Sequence, residues 1–200
     1  MIEVLFVCTG NICRSPMAES LFRSRLARDY PHLDFVESVS AGTSAVEGNP
    51  ATFASVQAMD LWGIDLSDHR ASVLTPRKLR DADLVLAMAR EHLLTVDRIE
   101  PAALRRSTTL KYLSSRAEEV VKRLGEETVL GENDARSRIR QVLELLRASA
   151  TPEGYLVDMQ SRASDIIDPI GSSLQVYIGV ADDLDAALQG VLRALFGRPL

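Results

Sequence analysis

Val4-Leu5-Phe6-Val7-Cys8-Thr9-Gly10-Asn11-Ile12-Cys13-Arg14-Ser15-Pro16 carries a short apolar run through a glycine-containing turn into a segment of helical character. The run reads as a strand over about residues 3 to 8. Ser15-Pro16 reads as a helix start, a capping hydroxyl with proline at the first helical position, and Ala18, Leu21, Phe22 and Leu26 form a buried stripe behind it. A strand that turns directly into a helix is the unit of an α/β domain with a parallel sheet covered on both faces. Outward from this unit, strands are expected near residues 34 to 41, 83 to 87 and 107 to 111. Helices are expected over 50 to 62, entered at Asn49-Pro50 and ended by Gly63, and after Met88. A last helix is expected from about Ser172 to Phe196, where Tyr177, Ala181, Leu184, Leu188, Val191 and Leu195 recur at spacings of three and four.

The alternation breaks between Ser114 and Ala163. There Ala117, Val120, Val121 and Leu124, then Ile139, Val142, Leu143 and Leu146, form two helical patterns around a turn-rich stretch from Gly125 to Asp134. This predicts a helical hairpin inserted at about 114–163 of a single domain over 1–200, its apolar stripes facing each other or the main body. The net charge of -5 argues against a broad hold on nucleic acid or a membrane surface, which needs a basic face. The first apolar run is too short for a signal core or a membrane span, so the expected location is cytoplasmic. Cys8 and Cys13 are too few for a structural zinc site and too close to staple a secreted fold. Neither a metal nor another cofactor is expected, and the sequence sets no oligomeric state.

Cys8 and Arg14 stand five residues apart at a helix N-terminus, which is the composition a phosphate cradle requires. Successive backbone N–H groups of a curved loop, from Thr9, Gly10, Asn11, Ile12 and Cys13 to Arg14 and Ser15, together with the positive helix end, can grip an oxyanion. Gly10 permits close backbone approach, and Asn11 is among the few side chains that tolerate a left-handed conformation. The same groups favour negative charge on the Cys8 sulfur, making it a nucleophile. Arg14 offers a planar fork to two phosphate oxygens, and Ser15 can donate to the sulfur when it leaves. The loop lacks the Gly-Lys-Ser/Thr ending of a nucleotide-binding loop.

These residues resemble the N-terminal signature of the low-molecular-weight protein tyrosine phosphatase family, with Met17-Ala18-Glu19 extending the likeness. Ser40-Ala41-Gly42-Thr43, Gly63-Ile64-Asp65 with His69-Arg70, and Asp83-Leu84-Val85-Leu86 followed by Met88 are also similar. The resemblance spans residues 2 to about 113 and 165 to 196. It implies a three-layer sandwich around a four-stranded parallel sheet in order 2-1-3-4, with the site at the carboxyl end of the first strand. It implies hydrolysis of phosphoprotein phosphomonoesters through a phosphocysteine on Cys8. Among the acids of Asp165-Ile166-Ile167-Asp168-Pro169 it selects Asp168 as general acid, because the family's acid precedes a proline. Asp165 is the weaker candidate and is expected to be solvated. Asn11, Ser40 and His69 match the residues that brace the family's loop, while His32 and His92 read as surface residues.

Two departures bear on substrate. Ile170 stands where the family's tyrosine phosphatases commonly place an aromatic wall, and Ser44-Ala45-Val46 supplies none either. The Asp168-Pro169-x-Gly171-x-Ser173 pattern is similar to a bacterial branch that includes protein-arginine phosphatases, yet Ile12 matches tyrosine-directed members rather than the threonine of arginine-specific ones. Phosphotyrosine therefore stands first and phosphoarginine second as expected substrate. An arsenate reductase would need a resolving cysteine, and none follows Cys13. A non-catalytic phosphate-binding module would not need both Cys8 and the acid. Cys13 either fills the loop interior or forms a reversible disulfide with Cys8.

Overall fold

The computed structural model describes residues 1–148 and 164–199. In chain order the elements are β1 (Ile2–Cys8), α1 (Arg14–Asp29), β2 (Val36–Gly42), α2 (Phe53–Asp60), α3 (Pro76–Asp81), β3 (Leu84–Ala87) and α4 (Arg90–Ile99). A 3-10 turn (Pro101–Arg106), β4 (Ser107–Thr109), α5 (Leu110–Ser115), α6 (Ala117–Leu124), α7 (Glu132–Ala148) and α8 (Leu174–Phe196) follow. The four strands are all parallel in the order β2-β1-β3-β4, as the resemblance implies. Alternation along β1 sorts the core into two layers. Val4, Phe6 and Cys8 join the cluster of Met17, Phe22 and Leu188 from α1 and α8. Leu5 and Val7 join Leu74, Leu79, Val85 and Val96 on the other face, against α3 and α4. Among the described residues no helix is long and apolar enough to cross a membrane.

Several elements depart from their expected bounds, each for a local reason. α1 begins at Arg14 without a side-chain cap, because the Ser15 hydroxyl that was expected to cap it is turned instead toward the Cys8 sulfur. α2 begins at Phe53 rather than residue 50: Thr52 Oγ1 accepts the Ser55 N–H, while Pro50 is held in an isolated bridge to Arg70. α3 was not anticipated. It buries only Leu79 and so has no periodic stripe, although Thr75 caps it and Pro76 opens it.

The residues expected to form an inserted hairpin divide. Those from 149 to 163 lie outside the described residues, while Ala117, Val120, Ile139, Val142, Leu143 and Leu146 share one apolar cluster with Leu184, Leu188 and Leu195 of α8. Arg138 joins the two helices to α8, donating to Leu124 O and Gly125 O at 2.7 Å each and to Ala194 O at 3.0 Å. It thereby satisfies carbonyls left over at two helix C-termini and places positive charge there. α7 crosses the amino edge of the sheet. Arg136 reaches Met1 O and pairs with Asp83, which precedes β3, and Arg147 bonds the Leu104 and Arg105 carbonyls ahead of β4. Cys8 lies at the opposite edge, so α6 and α7 extend the core and do not lean over it.

Candidate active site

The loop between β1 and α1 is held from outside by its carbonyl oxygens. Cys8 O accepts from Thr43 N–H and Thr9 O from Ser44 N–H, both at 2.9 Å. Asn11 O accepts from His69 Nε2 at 2.7 Å, and Ile12 O from Thr52 N–H at 2.9 Å and Ser55 Oγ at 3.2 Å. A trans peptide points its N–H opposite its C=O, so the N–H groups of Gly10, Ile12 and Cys13 are turned to the concave side. The Asn11 N–H reaches Cys8 Sγ at 3.2 Å. This is a nest of donors around the sulfur at the start of a helix. Gly42 allows the end of β2 to support it: a Cβ there would lie 2.6 Å from Thr9 O and 2.9 Å from Asn11 N.

Asn11 is the keystone of the loop. It is fully buried and adopts φ 52°, the left-handed region that asparagine tolerates better than most side chains. Its Oδ1 accepts from Ser72 N–H at 2.8 Å, which fixes the amide orientation, and its Nδ2 donates to Ser15 Oγ at 2.9 Å and Ser40 Oγ at 2.8 Å. With a donor already on its oxygen, Ser15 directs its own proton at Cys8 Sγ, 3.0 Å away. The expected supports Asn11, Ser40 and His69 are thus brought together, and Ser72 and Gly42 are additional ones the sequence reading did not name.

Arg14 is only 4% exposed. Its Nη1 donates to Ile166 O at 3.3 Å, and its Nη2 donates to Thr9 Oγ1 at 3.3 Å and Asp168 Oδ2 at 2.5 Å. Asp168 is 41% exposed and its Oδ1 also accepts the Ile170 N–H at 3.2 Å. The loop carrying it is anchored on the sheet, since Ile166 N–H donates to Met88 O at 2.8 Å. Asp165, expected to be solvated, instead receives Arg90 through its backbone N–H at 3.0 Å and its guanidinium at 3.2 to 3.3 Å. It clamps the loop to α4 and is engaged by Arg90 rather than by Arg14.

Of the two histidines expected at the surface, His92 is buried. It is 1% exposed, with Nε2 3.0 Å from Thr9 Oγ1 and Nδ1 accepting the Ala89 N–H at 3.0 Å. Burial, then the nearby Arg14 charge, pushes its pKa down to about 4. His32 is partly buried, with Nε2 3.1 Å from Val129 O. Cys13 is buried with its sulfur 3.6 Å from both Thr52 Oγ1 and Tyr177 OH, and both cysteines are free. Ile12 packs against the core, while Ile170 is 54% exposed beside Asp168.

A family model described as low molecular weight phosphotyrosine protein phosphatase matches residues 3–149, reaching through α7, beyond the point near residue 113 where the resemblance in sequence lapses. Over 85 residues the chain is 46% identical to "Probable low molecular weight protein-tyrosine-phosphatase EpsP" of Ralstonia solanacearum, covering 42% of this chain and 54% of that protein. Over 91 residues it is 44% identical to the protein-arginine-phosphatase of Bacillus subtilis, covering 46% and 58%. The chain therefore spans a little over half the length of these curated relatives. The crystal structure of a low molecular weight protein tyrosine phosphatase from T. tengcongensis superposes with a TM-score of 0.65 at 31% identity, covering 96% of this chain and 98% of that one.

Proposed function

Since the chain belongs to the low molecular weight phosphotyrosine protein phosphatase family, we propose that it removes phosphoryl groups from protein side chains through a covalent phosphocysteine on Cys8. The observation that carries this reading is the Cys8 sulfur itself, which receives the Asn11 N–H and the Ser15 hydroxyl within a loop whose Cys8, Thr9, Asn11 and Ile12 carbonyls turn outward. Such a sulfur accepts two hydrogen bonds on the face turned to an oxyanion cradle and is placed for in-line attack. The phosphate-binding groups are the loop from Thr9 to Ser15, and Asn11, Ser40 and His69 hold it in shape.

A phosphate dianion competes with Asp168 for the Arg14 fork. Its arrival frees the carboxyl to take a proton and face the leaving atom. The Cys8 thiolate attacks phosphorus, the bond to the leaving oxygen or nitrogen breaks, and Asp168 supplies the proton that atom needs. A water then attacks the phosphocysteine, Asp168 takes its proton, and the thiolate leaves with the Ser15 hydroxyl directed at it. Inorganic phosphate and the starting thiolate remain.

Phosphotyrosine on a protein is the first substrate class, phosphoarginine the second. The exposed, non-aromatic Ile170 and the likeness to a protein-arginine-phosphatase favour the second, and Ile12 in the loop favours the first. Two free cysteines in one loop suit a reducing compartment, which supports a cytoplasmic location. The test is turnover of p-nitrophenyl phosphate in the presence of a chelator, with Cys8→Ser as control. Activity that survives in the variant, or that is lost to chelator and restored by metal, refutes the mechanism. kcat/KM on phosphotyrosine and phosphoarginine peptides, in wild type, Ile12→Thr and Ile170→Tyr, then ranks the substrates.

A further inference from the structure

We propose that His92 is a positioning residue for phosphate recognition: acting through the Thr9 hydroxyl, it fixes the orientation of the Arg14 guanidinium and so sets the affinity of the loop for an oxyanion. The proposal rests on the phosphatase reading above and adds to it a residue outside the loop and its known braces.

The direction of each hydrogen bond follows from chemistry. A backbone N–H can only donate, so His92 Nδ1, which meets the Ala89 N–H at 3.0 Å, carries no proton. The neutral ring must then hold its proton on Nε2, and that N–H donates to Thr9 Oγ1 at 3.0 Å. The ring stays neutral because burial among α4, β3 and the loop, with Arg14 close by, disfavours the cation. Thr9 Oγ1 also accepts from Arg14 Nη2 at 3.3 Å. Both of its acceptor sites are therefore filled, and the hydroxyl is held in one rotamer.

Among the described residues Arg14 has three acceptors: Thr9 Oγ1, Ile166 O and Asp168 Oδ2. Asp168 is the exposed one and is the partner a phosphate displaces. Ile166 O is backbone, fixed by the sheet. Thr9 Oγ1 is the remaining side-chain anchor, free to rotate unless something outside the loop holds it, and His92 is the group that does. A fork held in register can meet two phosphate oxygens at once, whereas a fork free to swing loses that pre-organisation.

The alternative is that His92 only caps α4. Two variants separate the roles by reach. His92→Asn places an amide oxygen where Nδ1 is, keeping the Ala89 bond, and falls short of Thr9. His92→Gln extends an amide N–H to about the Nε2 position, keeping the Thr9 bond. Calorimetric titration with inorganic phosphate and turnover of p-nitrophenyl phosphate are read alongside Tm. For His92→Asn the expected result is phosphate affinity and kcat/KM both lower by about fivefold to tenfold, the weight of one hydrogen bond, beside a modest fall in Tm. His92→Gln should return both to within about twofold of wild type. Thr9→Val should lose a similar amount, and combining it with His92→Asn should cost nothing further. Unchanged phosphate affinity in His92→Asn, full additivity with Thr9→Val, or a fall in Tm alone would each overturn the proposal. A wild-type chain that binds phosphate without hydrolysing the ester would refute the phosphatase reading, while the affinity series still decides the role of His92.

Discussion

The two edges of the sheet are built by different means. At the carboxyl edge the loop from Cys8 to Ser15 is defined by short polar bonds among buried groups, where Asn11 alone joins Cys8, Ser15, Ser40, His69 and Ser72. At the amino edge α7 is held by an apolar stripe against α8, with partly exposed arginine contacts at its ends. A directional bond in a buried place leaves an unsatisfied partner when it is lost, so the carboxyl edge admits few substitutions. Apolar packing is graded by volume, and exposed ion pairs contribute little. One edge is therefore specified residue by residue, the other by pattern.

Removing the proton of Asp168 attacks the specified edge where the effect is largest. Asp168→Asn should lower kcat on poor leaving groups by about 10² to 10⁴ with stability nearly kept, while Asp165→Asn, which releases the Arg90 clamp, should cost far less. The reverse ranking in steady-state kinetics would reassign the acid. On the patterned edge, Ile139→Ala empties a buried site and should cost about 2 to 5 kcal/mol in denaturant unfolding with kcat of the folded protein unchanged. A parallel fall in kcat would show that the edges are coupled.

Acid should find the carboxyl edge before the amino one. The His92 ring titrates near 6.5 when unfolded and at about 4 when folded, so between those values the unfolded chain binds more protons. The stability that the neutral ring contributes is complete above pH 6.5 and is lost as pH falls to 4, by about 3 kcal/mol. His92→Gln should flatten that part of the unfolding profile, and an unaltered profile would place the acid sensitivity elsewhere. The smallest effect belongs to Arg136→Ala. It breaks the Asp83 pair and the Met1 carbonyl bond, both partly exposed, and should change stability by about 1 kcal/mol or less.

The same division explains what could be read in advance. Periodicity exposed the strands, α1, α8 and both apolar stripes of α6 and α7, because those segments obey a repeat that burial imposes. Cys8, Arg14, Asn11 and Ser15 were legible as a local motif because they stand within eight residues of one another. His69, Ser40 and Asp168 entered only through resemblance, since no spacing links them to Cys8. His92 was missed because a lone histidine on a helix carries no local mark of burial. Its one available signal was its place three residues beyond Ala89, within reach of the last turn of backbone leaving β3. Gly42 reads as any glycine at a strand end, and only the 2.6 Å approach of Thr9 O shows what it permits.

α8 carries a consequence for how the molecule is made. It packs Tyr177 near Cys13 at one end and meets Arg138 at the other, and its apolar face completes the layer that α1, α2, α5, α6 and α7 share. During synthesis the Cys8 loop emerges before its acid and this central helix, which follow more than a hundred residues later. At ribosomal rates of about 5 to 20 residues per second, roughly ten to thirty seconds separate the loop from the helix that closes the hydrophobic layer. Over that interval the apolar layer is open to non-native contacts, and turnover must await the emergence of Asp168 and α8.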